Sequence, residues 1–93
     1  MELRDKVIVV TGGASGIGMG LCRRFHEEQV RGLVIADLNG EAASALATEL
    51  NATSVELDVR DESAIAAMVA ETESEFGQVD LFCSNAGVLD LDG

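Results

Sequence analysis

Val7-Ile8-Val9-Val10-Thr11-Gly12-Gly13-Ala14-Ser15-Gly16-Ile17-Gly18 is the stretch that decides the fold of this chain. Four apolar residues in a row suit a strand covered on both faces, as in a parallel sheet. The glycines that follow allow a tight turn and a close backbone approach to a ligand. Ile17, Leu21 and Phe25 then recur at helical spacing. A buried strand therefore feeds a glycine-rich turn, and the turn opens a helix. The unpaired amides and positive end of such a helix suit a diphosphate.

The same alternation continues along the chain. Leu33-Val34-Ile35-Ala36 is a second buried run that ends at Asp37. Asn39 has the side chain of an N-cap, before a helix with Ala43, Leu46, Ala47 and Leu50 on one face. Val55 and Leu57 alternate with Ser54, Glu56 and Asp58, the pattern of a half-exposed edge strand. Asp61 suits the cap of a third helix bearing Ile65, Met68, Val69, Thr72 and Phe76, and Gly77 suits its end. Val79 to Ser84 reads as a fourth strand. Right-handed crossovers between these strands predict the spatial order 3-2-1-4, an α/β, Rossmann-type doubly wound parallel sheet in its N-terminal portion. Its ligand crevice falls at the carboxyl ends of strands one and four, beside the glycine turn and Asn85-Ala86-Gly87.

Composition narrows the function classes. The chain has 93 residues, 47 % hydrophobic and 25 % charged, which is globular and enough for one small domain. Its net charge is −11, with no basic stripe, so neither nucleic acid nor an anionic membrane surface is an expected partner. Val7 to Val10 is too short for a signal-peptide core, and no apolar stretch is long enough to span a bilayer. Cys22 and Cys83 form no C-x-x-C pair and suit reduced, packed thiols. A cytoplasmic location fits these features. His26 has no Cys/His cluster around it, so no metal site is expected.

Gly12, Gly16 and Gly18 depart from the G-x-G-x-x-G spacing of the dinucleotide fingerprint, yet their context matches it. Asp37 ends the next strand about 20 residues on, where an acid can accept both hydroxyl protons of an adenosine ribose. It would repel a 2′-phosphate by about 1 kcal/mol per pair of unit charges at ~4 Å in water, and by about 4 at an effective dielectric near 20. No arginine follows Asp37 to offset this. Taken alone, Asp37 could equally serve the strand-to-helix turn, Asp58 could end an edge strand, and Asn85-Ala86-Gly87 could be an ordinary turn. The Thr11 hydroxyl is expected to pin the glycine turn.

Thr11-Gly12-x-x-x-Gly16-x-Gly18, Asp37, Asp58-Val59 and Asn85-Ala86-Gly87 together resemble the N-terminal half of a classical short-chain dehydrogenase/reductase, over essentially the whole chain. The resemblance implies a nicotinamide cofactor. Gly12 would lie in its turn, and Ser15 with the backbone of Gly16, Ile17 and Gly18 along its adenosine and pyrophosphate. Asp37 with Leu38 beside the adenine implies NAD. The Asp58 side chain would meet the adenine amino group, Val59 would pack beside the ring, and Asn85, Ala86 and Gly87 would line the floor. Ser84, where family members often carry asparagine, and Gly20, where a helix former is commoner, depart from the pattern.

The family's chemistry rests on a serine and a Tyr-x-x-x-Lys pair. This chain has no tyrosine and a single lysine, Lys6, ahead of the first strand. No catalytic residue is therefore assigned in it. Residues 1–93 are expected to be a partial NAD-binding domain, whose parent transfers hydride between NAD and a small-molecule alcohol or carbonyl substrate and is a homo-oligomer. The fourth strand would then present an open apolar edge. Two alternatives stand beside this reading: a non-catalytic nucleotide-binding remnant, and a fragment of an S-adenosylmethionine-dependent methyltransferase. The second lacks the acid such sites carry just before the glycines, because the strand ends Val9-Val10-Thr11.

Overall fold

The computed structural model describes residues 2–84 and the backbone of residues 87–90. Strand β1 (Val7–Thr11) leads to helix α1 (Gly16–Glu27), and β2 (Gly32–Asp37) leads to α2 (Gly40–Leu50). Then come β3 (Thr53–Glu56), α3 (Glu62–Phe76), β4 (Leu81–Ser84) and β5 (Gly87–Asp90). The sheet order is β3-β2-β1-β4-β5. The first four strands are parallel and stand in the order the sequence predicts.

β1 is central because its side chains are apolar on both faces. Val7, Ile8 and Val9 have no exposed surface, and Val10 almost none. Ile8 and Val10 face one way, with Leu33 and Ile35 of β2, against Cys22 and Phe25 of α1 and the Ala43, Leu46, Ala47 and Leu50 stripe of α2. Val7 and Val9 face the other way, with Val34 and Ala36, against Met68 of α3. Two helices thus cover one face and a third covers the opposite face. Such alternation along a strand follows from its two-residue period.

The helix caps lie where the sequence puts them. Asn39 Oδ1 accepts from the Ala42 amide at 3.1 Å, and Asp61 Oδ1 accepts from the Ala64 amide at 3.1 Å. Gly77 ends α3 with φ of 101°, a conformation that suits glycine alone. β4 is aligned to β1 by Asp80, whose carboxylate accepts from the Val7 amide at 2.8 Å while its own amide donates to the Val7 carbonyl at 2.8 Å.

Three details differ from the sequence reading. The buried stripe of α1 is Gly18, Cys22 and Phe25, whereas Ile17 is 80 % exposed. The one-residue step from Gly18, about 100° around the helix, carries Ile17 off the core face. β4 begins at Leu81, although Val79 before it is buried. The expected open edge of β4 is instead paired with β5, antiparallel, with Phe82 opposite Leu89 and Ser84 opposite Gly87. That pairing uses the backbone groups which an uncovered strand would leave to solvent.

Candidate functional site

The turn from β1 to α1 is built by short-range bonds. Gly12 has φ of 68°, in the left-handed region. The Ser15 hydroxyl donates to the Gly12 carbonyl at 2.7 Å, and the Ser15 amide donates to the same oxygen at 3.2 Å. Gly18 lies against this turn. A Cβ at Gly18 would stand 2.8 Å from the Gly12 carbonyl carbon and 2.8 Å from Gly13 Cα. The third glycine therefore lets the helix pack directly on the turn.

Ser15 occupies the N-cap of α1, yet its hydroxyl makes no capping bond to the helix amides. Helices α2 and α3 have a side-chain cap and an acid, Glu41 and Glu62, in their first turns. α1 has neither. The first amides of a helix have no intrahelical acceptor. At α1 they carry their partial positive charge toward the mouth of the turn with no acid in the helix's own first turn to meet it.

Asp37, at the carboxyl end of β2, faces this turn. Its Oδ2 accepts from the Ala14 amide at 3.0 Å and its Oδ1 from the Asn39 amide at 2.9 Å. A carboxylate offers about four lone-pair positions. One on each oxygen remains for a further donor. The turn is thereby braced by a residue 23 positions away in sequence.

A cleft of about 640 Å³ opens at the carboxyl ends of β1, β2, β3 and β4. Thr11, Gly12, Ser15, Asp37, Leu38, Asp58 and Val59 line it, with Leu57, Ile65, Phe82 and Ser84. Leu38 is 69 % and Val59 53 % exposed. Single apolar side chains exposed on a surface are ordinary, but these two lie along one concave surface. The Thr11 hydroxyl reaches across the sheet to the Cys83 carbonyl at 3.4 Å, so it ties β1 to β4 rather than pinning the turn.

β3 stops at Glu56, so Asp58 lies in the loop beyond it and does not end the strand. Arg60 turns back on it: Arg60 Nη2 donates to Oδ2 at 2.8 Å, and Nε donates to Oδ1 at 3.1 Å. The Arg60 amide also donates to Oδ1, at 2.9 Å. These bonds to the guanidinium and the amide hold the Asp58 carboxyl down at about 2, from an ordinary 3.8. It stays ionised, an acceptor only, throughout the physiological range.

Of the residues singled out in the sequence, Gly12, Ser15, Asp37, Leu38, Asp58 and Val59 come together around this cleft. Gly16, Ile17 and Gly18 form the first turn of α1 beside it. Asn85 and Ala86 lie outside the described residues, and Gly87 is described only as the first residue of β5. Arg60, Ala14 and Gly13 were not anticipated. A Cβ at Gly13 would come within 2.6 Å of Ile35 Cγ2, so this glycine serves the packing of the turn on β2. The Asp-x-Arg spacing was the available signal for Arg60. Only the fold could reveal the part of Ala14, which acts through its backbone.

The donor set suits an anionic ligand that carries hydroxyl groups and an apolar ring. That set is the helix-start amides, the two open lone pairs of Asp37 and the exposed side chains of Leu38 and Val59.

Comparison with known proteins bears on the family and the fold. Residues 6–92 match the short chain dehydrogenase family. Over 90 residues the chain is 38 % identical to a (+)-cis,trans-nepetalactol synthase of Nepeta racemosa, covering 95 % of this chain and 33 % of that protein. It is 37 % identical over 93 residues to a galactitol 2-dehydrogenase of Agrobacterium fabrum, covering 98 % and 36 %. The chain spans about a third of the length of these curated relatives. A crystal structure of a 3-ketoacyl-(acyl-carrier-protein) reductase from Brucella melitensis, complexed with NADH, superposes with a TM-score of 0.79 at 34 % identity, over 86 % of this chain and 34 % of that one. On its sequence and its fold alike, the chain belongs to the short-chain dehydrogenase family.

Proposed function

We propose that residues 1–93 are the NAD-binding part of an oxidoreductase acting between NAD and an alcohol or carbonyl substrate. When bound, the nicotinamide supplies the hydride acceptor or donor. The chain's own residues bind and orient. The amides of Gly16, Ile17 and Gly18 face the pyrophosphate, with the Ser15 hydroxyl holding the turn below it. Asp37 accepts the two ribose hydroxyl protons through its remaining lone pairs. Leu38 and Val59 flank the adenine, and Asp58 accepts from its amino group. The family resemblance also assigns Asn85, Ala86 and Gly87 to the cofactor, with Asn85 and Ala86 outside the described residues. The chain has no tyrosine, so none of its residues performs the proton transfer that the family assigns to one.

The observation that carries this reading is the pairing of an uncapped, acid-free helix start with a carboxylate braced to the same turn. The NADH complex of the structural neighbour supports it, since that protein has the same fold. The choice of NAD over NADP rests on Asp37, whose charge opposes a 2′-phosphate. Two unpaired buried thiols suit the reducing cytosol, and the family resemblance favours a homo-oligomeric parent.

Titration of the full chain with NAD and with NADP, followed by amide NMR, tests the proposal. NAD is expected to shift the amides of Ala14 to Gly18 and of Leu38, with NADP at least several-fold weaker. A preference for NADP would overturn the role of Asp37. A response to S-adenosylmethionine and none to NAD would overturn the family function altogether.

A further inference from the structure

A second cavity, of about 340 Å³, opens at the amino ends of β2 and β3, the end of the sheet opposite the cleft. Its size is that of a small-ligand pocket. Helices α1, α2 and α3 all finish beside it, through His26, Leu50 and Phe76. Phe76 lies against bare backbone: a Cβ at Gly32 would stand 2.7, 2.9 and 2.9 Å from Cγ, Cδ1 and Cδ2 of its ring. Leu33 and Leu50 join that ring in the apolar part of the wall. Gln29 and Asn51 belong to the polar part. Each follows a helix end in the left-handed region, with φ of 61° and 54°, a slot that usually holds glycine.

The charge of this wall is unlike that of the chain. The chain carries 17 acidic against 6 lysine and arginine residues, yet among the described residues no acid lines the cavity, while Arg31 and His26 do. Acids near the same helix ends are engaged elsewhere: Glu28 by Arg24 at 3.0 Å, Glu49 by Arg23, and Glu73 by the Val79 amide at 3.2 Å. Arg23, Arg24 and Arg60 each hold a carboxylate, whereas the Arg31 side chain makes no hydrogen bond or ion pair among the described residues. Its Nη2 stands beside Gly77, 3.5 Å from where a Cβ would be. The negative ends of three helices account for cations gathering here. They do not occupy the guanidinium's donors, which form a planar fork matched to a carboxylate.

We propose that this cavity is a second binding site, which takes a small monocarboxylic acid with an aromatic or aliphatic body. The carboxylate meets the Arg31 fork, with the His26 ring and the Gln29 and Asn51 carboxamides as further donors. The body rests on Phe76, Leu33 and Leu50. A phosphate matches the fork but leaves the apolar wall in water, and an amine is repelled by the guanidinium. The cavity shares no lining residue with the cleft at the other end of the sheet, so the proposal is independent of the dinucleotide reading.

The probe is benzoate, with benzamide, benzylamine and inorganic phosphate as its neutral, cationic and purely ionic counterparts. Each is titrated into the full chain and into its Arg31→Gln and Arg31→Lys variants, with amide NMR as the readout. Benzoate is expected to bind with a Kd of about 1 mM, in keeping with a ligand of so few atoms. It should shift the amides of Gln29 to Leu33 and of Asn51 to Thr53 while those of Ala14 to Gly18 stay still. The other three probes are expected to bind at least about tenfold more weakly, the worth of a hydrogen bond between charged groups. Arg31→Gln should weaken benzoate about tenfold, and Arg31→Lys should recover only part of that, since it restores the charge without the fork. Arg31 is exposed and its side chain unbonded, so an unchanged Tm is expected in both variants and separates lost binding from lost fold. Absence of shifts in these two segments, any of the other probes binding as tightly as benzoate to the full chain, or undiminished benzoate affinity in Arg31→Gln overturns the proposal.

Discussion

Gly18 and Gly20 lie two residues apart in α1, and the same substitution should move stability in opposite directions at the two positions. At Gly20 an added Cβ meets nothing within 4 Å, on an exposed position inside the helix. Gly20→Ala therefore recovers only helix propensity, about 1 kcal/mol. At Gly18 the added carbon runs into the carbonyl oxygen of Gly12 and stands 2.8 Å from two further backbone atoms. No side-chain rotation relieves a clash with backbone, so the turn or the helix must shift. Forced overpacking of this kind costs about 3 kcal/mol at the upper end of its usual range, and the helical gain of about 1 leaves a net loss of about 2. For a domain of this size each kcal/mol moves Tm by about 4–8 °C. Gly20→Ala is expected to melt about 4–8 °C higher, and Gly18→Ala about 8–16 °C lower. Thermal denaturation of the full chain, followed by far-UV circular dichroism, reads both. Shifts of the same sign, or a Gly18→Ala variant indistinguishable from the parent, would refute the packing of helix on turn.

Two further outcomes follow from the caps and the thiols. Asn39→Ala and Asp61→Ala should each lose about 1 kcal/mol in urea denaturation, and the double variant about 2, because the two caps serve helices on opposite faces of the sheet. A change of only a few tenths in either single variant would mean that its cap contributes nothing. Cys22 and Cys83 are buried, and burial pushes the Cys22 thiol up to about 11 from 9.0, so both should resist iodoacetamide at pH 8 until the chain is unfolded. The unfolded thiol ionises first as pH rises above 9, so the Cys22 contribution to stability is complete below pH 9 and is lost by about pH 11. Rapid alkylation of the native chain in intact-mass measurements, or stability unchanged across that interval, would contradict the burial.

The legible parts of the fold are those that local chemistry fixes. The α2 stripe from Ala43 to Leu50, both side-chain caps and the Gly77 stop each need only neighbours a few residues away. The parallel order followed from apolar runs too continuous for a one-sided sheet. Ile17 misled because helical spacing alone cannot say which side of a stripe meets the core. Its neighbour Gly18 takes the buried position, since the turn leaves room there for no side chain. β5 was not legible, because its antiparallel pairing is a tertiary choice of a short apolar segment beside an unsatisfied edge. In the candidate site, the glycine turn and Asp37 were readable from spacing, while Leu38, Asp58 and Val59 entered only through the family resemblance. The connections among them were not: the Asp37 bond to Ala14 and the Thr11 bond to Cys83 span 23 and 72 positions.

The bond from Asp37 to the Ala14 amide has a kinetic consequence. It fastens the glycine turn to the neighbouring strand before any ligand arrives. A receptor already in shape spends little of its interaction energy on ordering loop atoms, so affinity rests more fully on the contacts themselves. Association is then governed by diffusional encounter and orientation, not by a wait for the backbone to rearrange.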